Sequence, residues 1–263
     1  MMGASLLAGE DEGAAVVNER GASPIFLVCE HAGQRIPKCL GTLGLSDEER
    51  GRHIAWDIGA EGVARRLSAD LDAPLVLQRY SRLVYDCNRP PESPTAIPAV
   101  SEDTRIPGNE TLSPADRQAR TDAIYRPFHQ RVAELLDKRE RRIEPTIFVT
   151  IHSFTPVFKG VRRHLDVGLL FDRDRRFTDA LVPLFRPGAD VRTNEPYGPE
   201  DGVCHTLHLH AEARGLPYAM IEIRNDLIAH DAGQDEWAHR LTNVLQQAAA
   251  SFERGTRKAA LHA

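Results

Sequence analysis

With 263 residues, 41% of them hydrophobic, the chain is long enough to bury a full core and fits one large domain. Its 33 Lys and Arg against 38 Asp and Glu give a formal charge of -5, which provides no basic footprint for a phosphate backbone and argues against nucleic acid as a partner. Four cysteines, Cys29, Cys39, Cys87 and Cys204, form no C-x-x-C pair. That excludes a zinc ribbon and a thioredoxin-like motif, and points to reduced, structural thiols in a cytoplasmic protein.

Residues 1–22 are small, acidic and aperiodic, with Glu10-Asp11-Glu12 splitting the apolar patches. They are read as a flexible tail with no signal-peptide core, ahead of a single α/β domain over 23–263. No stretch approaches the ~20 apolar residues of a membrane span, so no membrane partner is expected. Pro24 to Cys29 reads as a short buried strand, and His31 follows where the apolar run stops. Glu30 beside it offers a carboxylate to orient an imidazole, and Ala32-Gly33 leaves the backbone unobstructed.

Ser46 to Glu49 forms a capping box that opens a helix, and Asp57 to Leu71 continues in helical period, which sets Asp57 at or near a helix start. Pro74 to Gln78 and Arg82 to Tyr85 read as two short strands. The second begins a segment that carries Arg82, Asp86, Asn88 and Arg89. Its guanidinium groups suit the clamping of a carboxylate or the polarising of a carbonyl oxygen, Asn88 adds a neutral donor, and Asp86 is an internal partner for one arginine. From Pro90 to Pro114 the prolines and the lack of periodicity predict a long loop acting as a lid.

Ser113 to Asp116 caps a helix, with proline at its first position, that runs to about Arg141 and kinks near Pro127. Thr146 to Ile151 is a second buried strand, followed by His152 and Ser153, and Val167 to Phe171 is a third. Asp174 to Phe185 reads as a helix, Asp190 to Arg192 as a short strand and Asn194 to Gly202 as a turn-rich loop. His205 to Arg214 is a helix ended by Gly215, with His205 free to project to the pocket from its start. His205, His208 and His210 lack the i, i+4 spacing of a helical zinc motif. Tyr218 to Ile223 is a strand that holds Glu222, whose burial requires a partner or a working role such as general base beside a metal. Arg224 follows, and Asp235 to Phe252 is an amphipathic helix.

Alternating strands and helices predict an α/β layered sheet, and such sheets gather ligands at the carboxyl ends of their strands. His31 and His152, with a carboxylate from Asp57, Glu30 or Glu222, are the raw material of a hydrolytic metal site. No G-x-S-x-G, P-loop, G-x-G-x-x-G or H-E-x-x-H motif is present.

Val28-Cys-Glu-His-Ala-Gly33 with Ile36-Pro37, Arg82-Leu-Val-Tyr-Asp-Cys-Asn-Arg-Pro90, Ile151-His-Ser153 and Ile221-Glu-Ile223 together resemble the N-formylglutamate amidohydrolase family, from about Pro24 to about Trp237. The resemblance implies a three-layer α/β/α sandwich with a mixed, mostly parallel central sheet, related to zinc carboxypeptidases and aspartoacylase-like deacylases. It implies zinc held by His31 and His152, a carboxylate clamp of Asn88 and Arg89, Arg82 stabilising the oxyanion and Glu222 as base. The carboxypeptidase-like His-x-x-Glu pattern would put an acid at position 34, where this chain has Gln34. Asp57 is therefore taken as the third ligand, ahead of Glu30. Ser153, His205 and Arg224 complete the substrate-binding candidates. The expected activity is hydrolysis of a small N-acyl amino acid such as N-formylglutamate. The rivals are a carboxypeptidase or other deacylase with the same site, and a non-catalytic module that binds carboxylates.

Overall fold

The computed structural model describes residues 6–185 and 188–260. The first half runs β1 (Ala14–Val17), β2 (Ile25–Cys29), α1 (Asp47–Gly51), α2 (Ala60–Asp70), β3 (Leu75–Gln78), the small hairpin β4 (Val100–Ser101) and β5 (Thr104–Arg105), α3 (Pro114–Arg120) and α4 (Arg126–Arg141). The second half runs β6 (Ile147–Phe154), a hairpin of β7 (Val157–Phe158) and β8 (Val161–Arg162), β9 (Val167–Leu170), α5 (Arg176–Phe185), β10 (Val191–Thr193), β11 (Tyr218–Arg224) and α6 (Asp231–Ala260).

Seven strands form one mixed sheet in the order β1-β3-β2-β6-β11-β9-β10. The inner four are mutually parallel, while β1 and β9 pair antiparallel with their neighbours β3 and β11. Both β2 and β6 are buried along their whole length, as central strands covered on two faces must be. Side-chain alternation then divides the core. Ile25, Leu27, Val149, Ile151, Ile221 and Ile223 face the layer of α2, α5 and α6. Phe26, Val28, Phe148, Tyr218 and Met220 face the layer that contains α4. The fold is thus a three-layer α/β/α sandwich. No helix among the described residues is long and apolar enough to cross a membrane.

Several local expectations change. Residues 14–17 lie inside the expected tail of residues 1–22, yet they form edge strand β1, because four successive residues find partners on the free side of β3. Residues 1–5 lie outside the described residues. Arg82 to Tyr85 is a turn rather than a strand: the Leu83 amide donates to Ser81 Oγ at 3.1 Å and the Val84 amide to the Ser81 carbonyl at 2.9 Å. The Ser46 and Glu49 capping box is present, but its helix α1 has only five residues. The expected kink near Pro127 is a π-helical turn over Thr121–Tyr125, which accommodates a proline that has no N–H and whose ring crowds the carbonyl four residues back. The helix expected over 205–214 forms with a π-helical centre, Leu207–Ala211, and a closing 3-10 turn before Gly215 at positive φ. The stretch from Pro90 to Pro114 is a loop that includes β4 and β5 and whose residues Thr95, Pro98, Val100, Ser101 and Glu102 border the main cavity.

Candidate active site

Three neighbouring parallel strands each break their apolar pattern on the same face of the sheet. Glu222 on β11 stands in register with His152 on β6, and Val28 on β2 with Thr150, which sets Glu30 beside His152 one step further on. His31 follows at the end of β2. Asp57 reaches this rim from the turn before α2, where its amide donates to the His31 carbonyl at 2.9 Å and Gly59 adopts φ 81°.

The side chains converge as a buried cluster. Asp57 Oδ2 lies 2.9 Å from His152 Nδ1 and 3.4 Å from His31 Nδ1, and it also accepts from the Ser153 amide at 3.2 Å. Each imidazole faces a second carboxylate through its other nitrogen: His31 Nε2 meets Asp86 Oδ1 at 2.7 Å, and His152 Nε2 lies 3.0 Å from Glu30 Oε2. The Glu30 contact is one of charge rather than an aligned hydrogen bond, since neither of its oxygens has a hydrogen-bond partner among the described residues. Arg82 donates to Asp86 at 2.5 Å and approaches Asp57 and His31 Nδ1 at 3.4 and 3.2 Å. The turn at 82–85 makes this possible, because a strand would separate residues 82 and 86 by about 13 Å.

The electrostatics follow from this crowding. Burial opposes charge on every group, yet His31 and His152 hold Asp57 far below the usual carboxylate range, and Arg82 and His31 do the same for Asp86. The same carboxylates raise both imidazoles against their own burial: Asp86 and Asp57 act on His31, and Glu30 and Asp57 on His152. His31, Asp57 and His152 present one ligand atom each, all within 4.8 Å of one another. Ligand atoms around a tetrahedral ion lie roughly 3.4 Å apart, so two imidazoles and a carboxylate in this arrangement can hold a metal in place of the protons they now share.

Glu222 has a different environment. It is 5% exposed, Oε2 has no hydrogen-bond partner among the described residues, and burial pushes its carboxyl up to about 7, with His152 opposing and Asp57 adding to the rise. It borders a cavity of about 610 Å³ that opens over His31, Asp57 and His152, with Arg82 and Arg89 also in its wall.

The structure places the expected site residues unequally. His31, Asp57, Arg82, Asn88, Arg89, His152, Ser153 and Glu222 all line this cavity. Asn88 is also committed internally, donating to the Val203 carbonyl at 2.5 Å and accepting from the Thr206 amide at 3.0 Å. Ser153 Oγ donates to the Ile58 carbonyl at 2.9 Å, which fixes the turn that carries Asp57. His205 lies outside the cavity wall, hydrogen-bonded to the Tyr125 hydroxyl at 2.8 Å. Arg224 is drawn away by Asp226 and Asp166, and is not part of the wall. His208 meets Asp172 at 2.7 Å, with Glu212 also near, in a separate group at the surface. Sequence reasoning missed Arg163 and Tyr197, which line the cavity. It also assigned Asp86 only to an arginine, whereas Asp86 holds His31 as well.

The model of the N-formylglutamate amidohydrolase family matches residues 23–229. Among solved structures, the gene product Atu2144 from Agrobacterium tumefaciens is 50% identical, with 94% of this chain and 98% of that one covered and a TM-score of 0.92. N-formylglutamate amidohydrolase from Ralstonia eutropha JMP134 is 20% identical, with 93% of this chain and 100% of that one covered and a TM-score of 0.68, a likeness of fold. No curated protein matches in sequence.

Proposed function

The chain belongs to the N-formylglutamate amidohydrolase family, a family of hydrolases acting on amide bonds, and on that premise we propose that it is a zinc-dependent amidohydrolase of small N-formyl amino acids such as N-formylglutamate. The observation that carries the reading is the pairing of a three-ligand cluster with a separate buried carboxylate whose pKa is pushed up to about 7. His31, Asp57 and His152 would hold the ion, and their two nitrogens and one oxygen fit the donor preference of zinc. A bound zinc ion supplies Lewis acidity, polarising the amide carbonyl and making water a stronger acid.

The chain's own groups account for the rest. Glu222, poised near neutrality, takes the proton of the attacking water and returns it to the leaving amine, where a base of ordinary carboxylate pKa would be too weak. Arg82 is held in place by Asp86 and directs its guanidinium group towards charge developing on the carbonyl oxygen. Arg89, with Asn88 fixing the backbone beside it, receives a substrate carboxylate. The four free thiols support a reducing, cytoplasmic setting.

Glu222→Gln tests the assignment, since it keeps size and polarity but removes the base. Hydrolysis of N-formylglutamate should fall by 10²-fold or more, on the order of a lost general base, while metal content by elemental analysis stays at the wild-type level. Retained turnover would remove Glu222 from the reaction. A panel of formyl, acetyl and peptidyl amino acids separates this activity from that of a deacylase or carboxypeptidase. Wild-type protein that neither holds zinc nor hydrolyses any of them would leave a carboxylate-binding module.

A further inference from the structure

Three arginines line the cavity, and they differ in what neutralises them. Arg82 is paired with Asp57 and Asp86. Arg89 and Arg163 form no ion pair among the described residues. None of the acidic groups of the same wall forms an ion pair with Arg89 or Arg163: Glu102 is paired with Arg52 at 2.9 Å, Asp57 and Asp86 belong to the histidine cluster, Glu222 is buried with His152 acting on it, and Asp201 is exposed at the rim. Two guanidinium groups therefore border one cavity without a salt-bridge partner among the described residues.

Arg163 is also held in a built setting. It follows the β7–β8 hairpin, which turns through Lys159 and Gly160 at positive φ, and its amide donates to the Pro156 carbonyl at 2.8 Å. Its guanidinium carbon lies 4.5 Å from the Phe158 ring centroid, 4.6 Å from that of Tyr197 and 5.8 Å from that of Phe154. Nη1 donates to the Tyr197 hydroxyl at 2.9 Å. Stacking against rings limits the rotamers of an arginine without using up its donors, so a planar acceptor can still be bound by two of them.

We propose that Arg163 is a specificity-determining residue that binds the side-chain carboxylate of an N-acyl dicarboxylic amino acid, while Arg89 binds its α-carboxylate. The assignment rests on the amidohydrolase reading of this cavity and adds a residue to it: Arg163 as the group that receives the second carboxylate. A neutral side chain would leave Arg163 desolvated and unmatched, which is how a polar pocket rejects an analogue that lacks the expected group.

The test compares kcat/KM for N-formylglutamate with that for N-formylglutamine in wild type, Arg163→Met and Arg163→Lys. Wild type should favour the dicarboxylate, and Arg163→Met should reduce that ratio by about ten- to a hundredfold, the worth of one charged hydrogen-bonding contact. Arg163→Lys should recover part of the ratio, keeping charge but losing the planar fork. Equal losses on both compounds would assign Arg163 a structural role and overturn the proposal, as would a wild type without preference. Calorimetric binding of glutarate against its monoamide reads the same preference without turnover. If wild type hydrolyses neither formyl compound, the amidohydrolase reading fails, and the binding comparison still decides this one. Tighter glutarate binding that disappears in Arg163→Met sustains it, and equal binding of the two ligands sinks it.

Discussion

At the scale of single residues, the cluster is organised by alternating charge. Asp57 sits between two imidazoles, and each imidazole has a further carboxylate behind it, Asp86 or Glu30. A carboxylate on the far nitrogen of a histidine fixes its tautomer and raises its basicity as a ligand. Asp86 has the better geometry, at 2.7 Å from His31, and also anchors Arg82. Asp86→Asn keeps the size of the side chain but removes the charge from both partners. Metal affinity, measured by competition with a chelator, should fall about 10- to 100-fold. An unchanged affinity would mean that His31 is oriented by its backbone alone.

At the scale of elements, the site depends on where chain segments stop. His31 and Glu222 were legible because apolar runs that give way to a histidine or enclose a carboxylate need a chemical reason, and His152 because it follows such a run; the strand in fact continues through it to Phe154. Asp57 was legible as a residue ahead of a helix. That it reaches between the two histidines depends on the turn at Gly59, which local sequence does not encode. Gly59 has φ 81°, and a Cβ there would lie 2.1 Å from the Ile228 carbonyl oxygen. Gly59→Ala should therefore cost about 2–4 kcal/mol in chemical denaturation, combining backbone strain with overpacking, and should weaken metal binding through the displaced Asp57. Full stability in that variant would show that the turn can shift without penalty. Arg163 and Tyr197 escaped notice for a related reason. They come from a hairpin and a loop with no periodic pattern, and only tertiary packing sets them together at the cavity. The turn at 82–85 was misread as a strand because three buried apolar residues in a row look the same in either state.

At the scale of the whole molecule, the helical layer on the cavity side is fastened to the sheet by groups that must stay neutral. His129 on α4 and His210 on the helix before β11 meet at 2.9 Å, and His129 Nε2 is 2.8 Å from the Cys87 carbonyl, one residue from Asp86. This joins two helices to the segment that carries Arg82, Asn88 and Arg89. Burial depresses both imidazoles, His129 to about 4 and His210 to about 2. In the unfolded chain each would accept a proton below about pH 6.5. Between about pH 6.5 and 4 the unfolded state thus binds more protons than the folded state, and stability must decrease as pH falls through that window. The slope is about 1.4 kcal/mol per pH unit for each histidine. The raised His31 and His152 act in the opposite sense, losing their contribution as pH rises through their folded-state values. The two effects separate by mutation. In a metal-free comparison by urea unfolding, the double variant His129→Phe, His210→Phe should be less stable than wild type near neutrality, with the Cys87 carbonyl left unpaired. Its stability should decline less steeply from pH 6.5 to 4, so that the two curves converge on acidification. Parallel curves would mean that the pair is already protonated or solvated in the folded protein and does not set the acid sensitivity in this window.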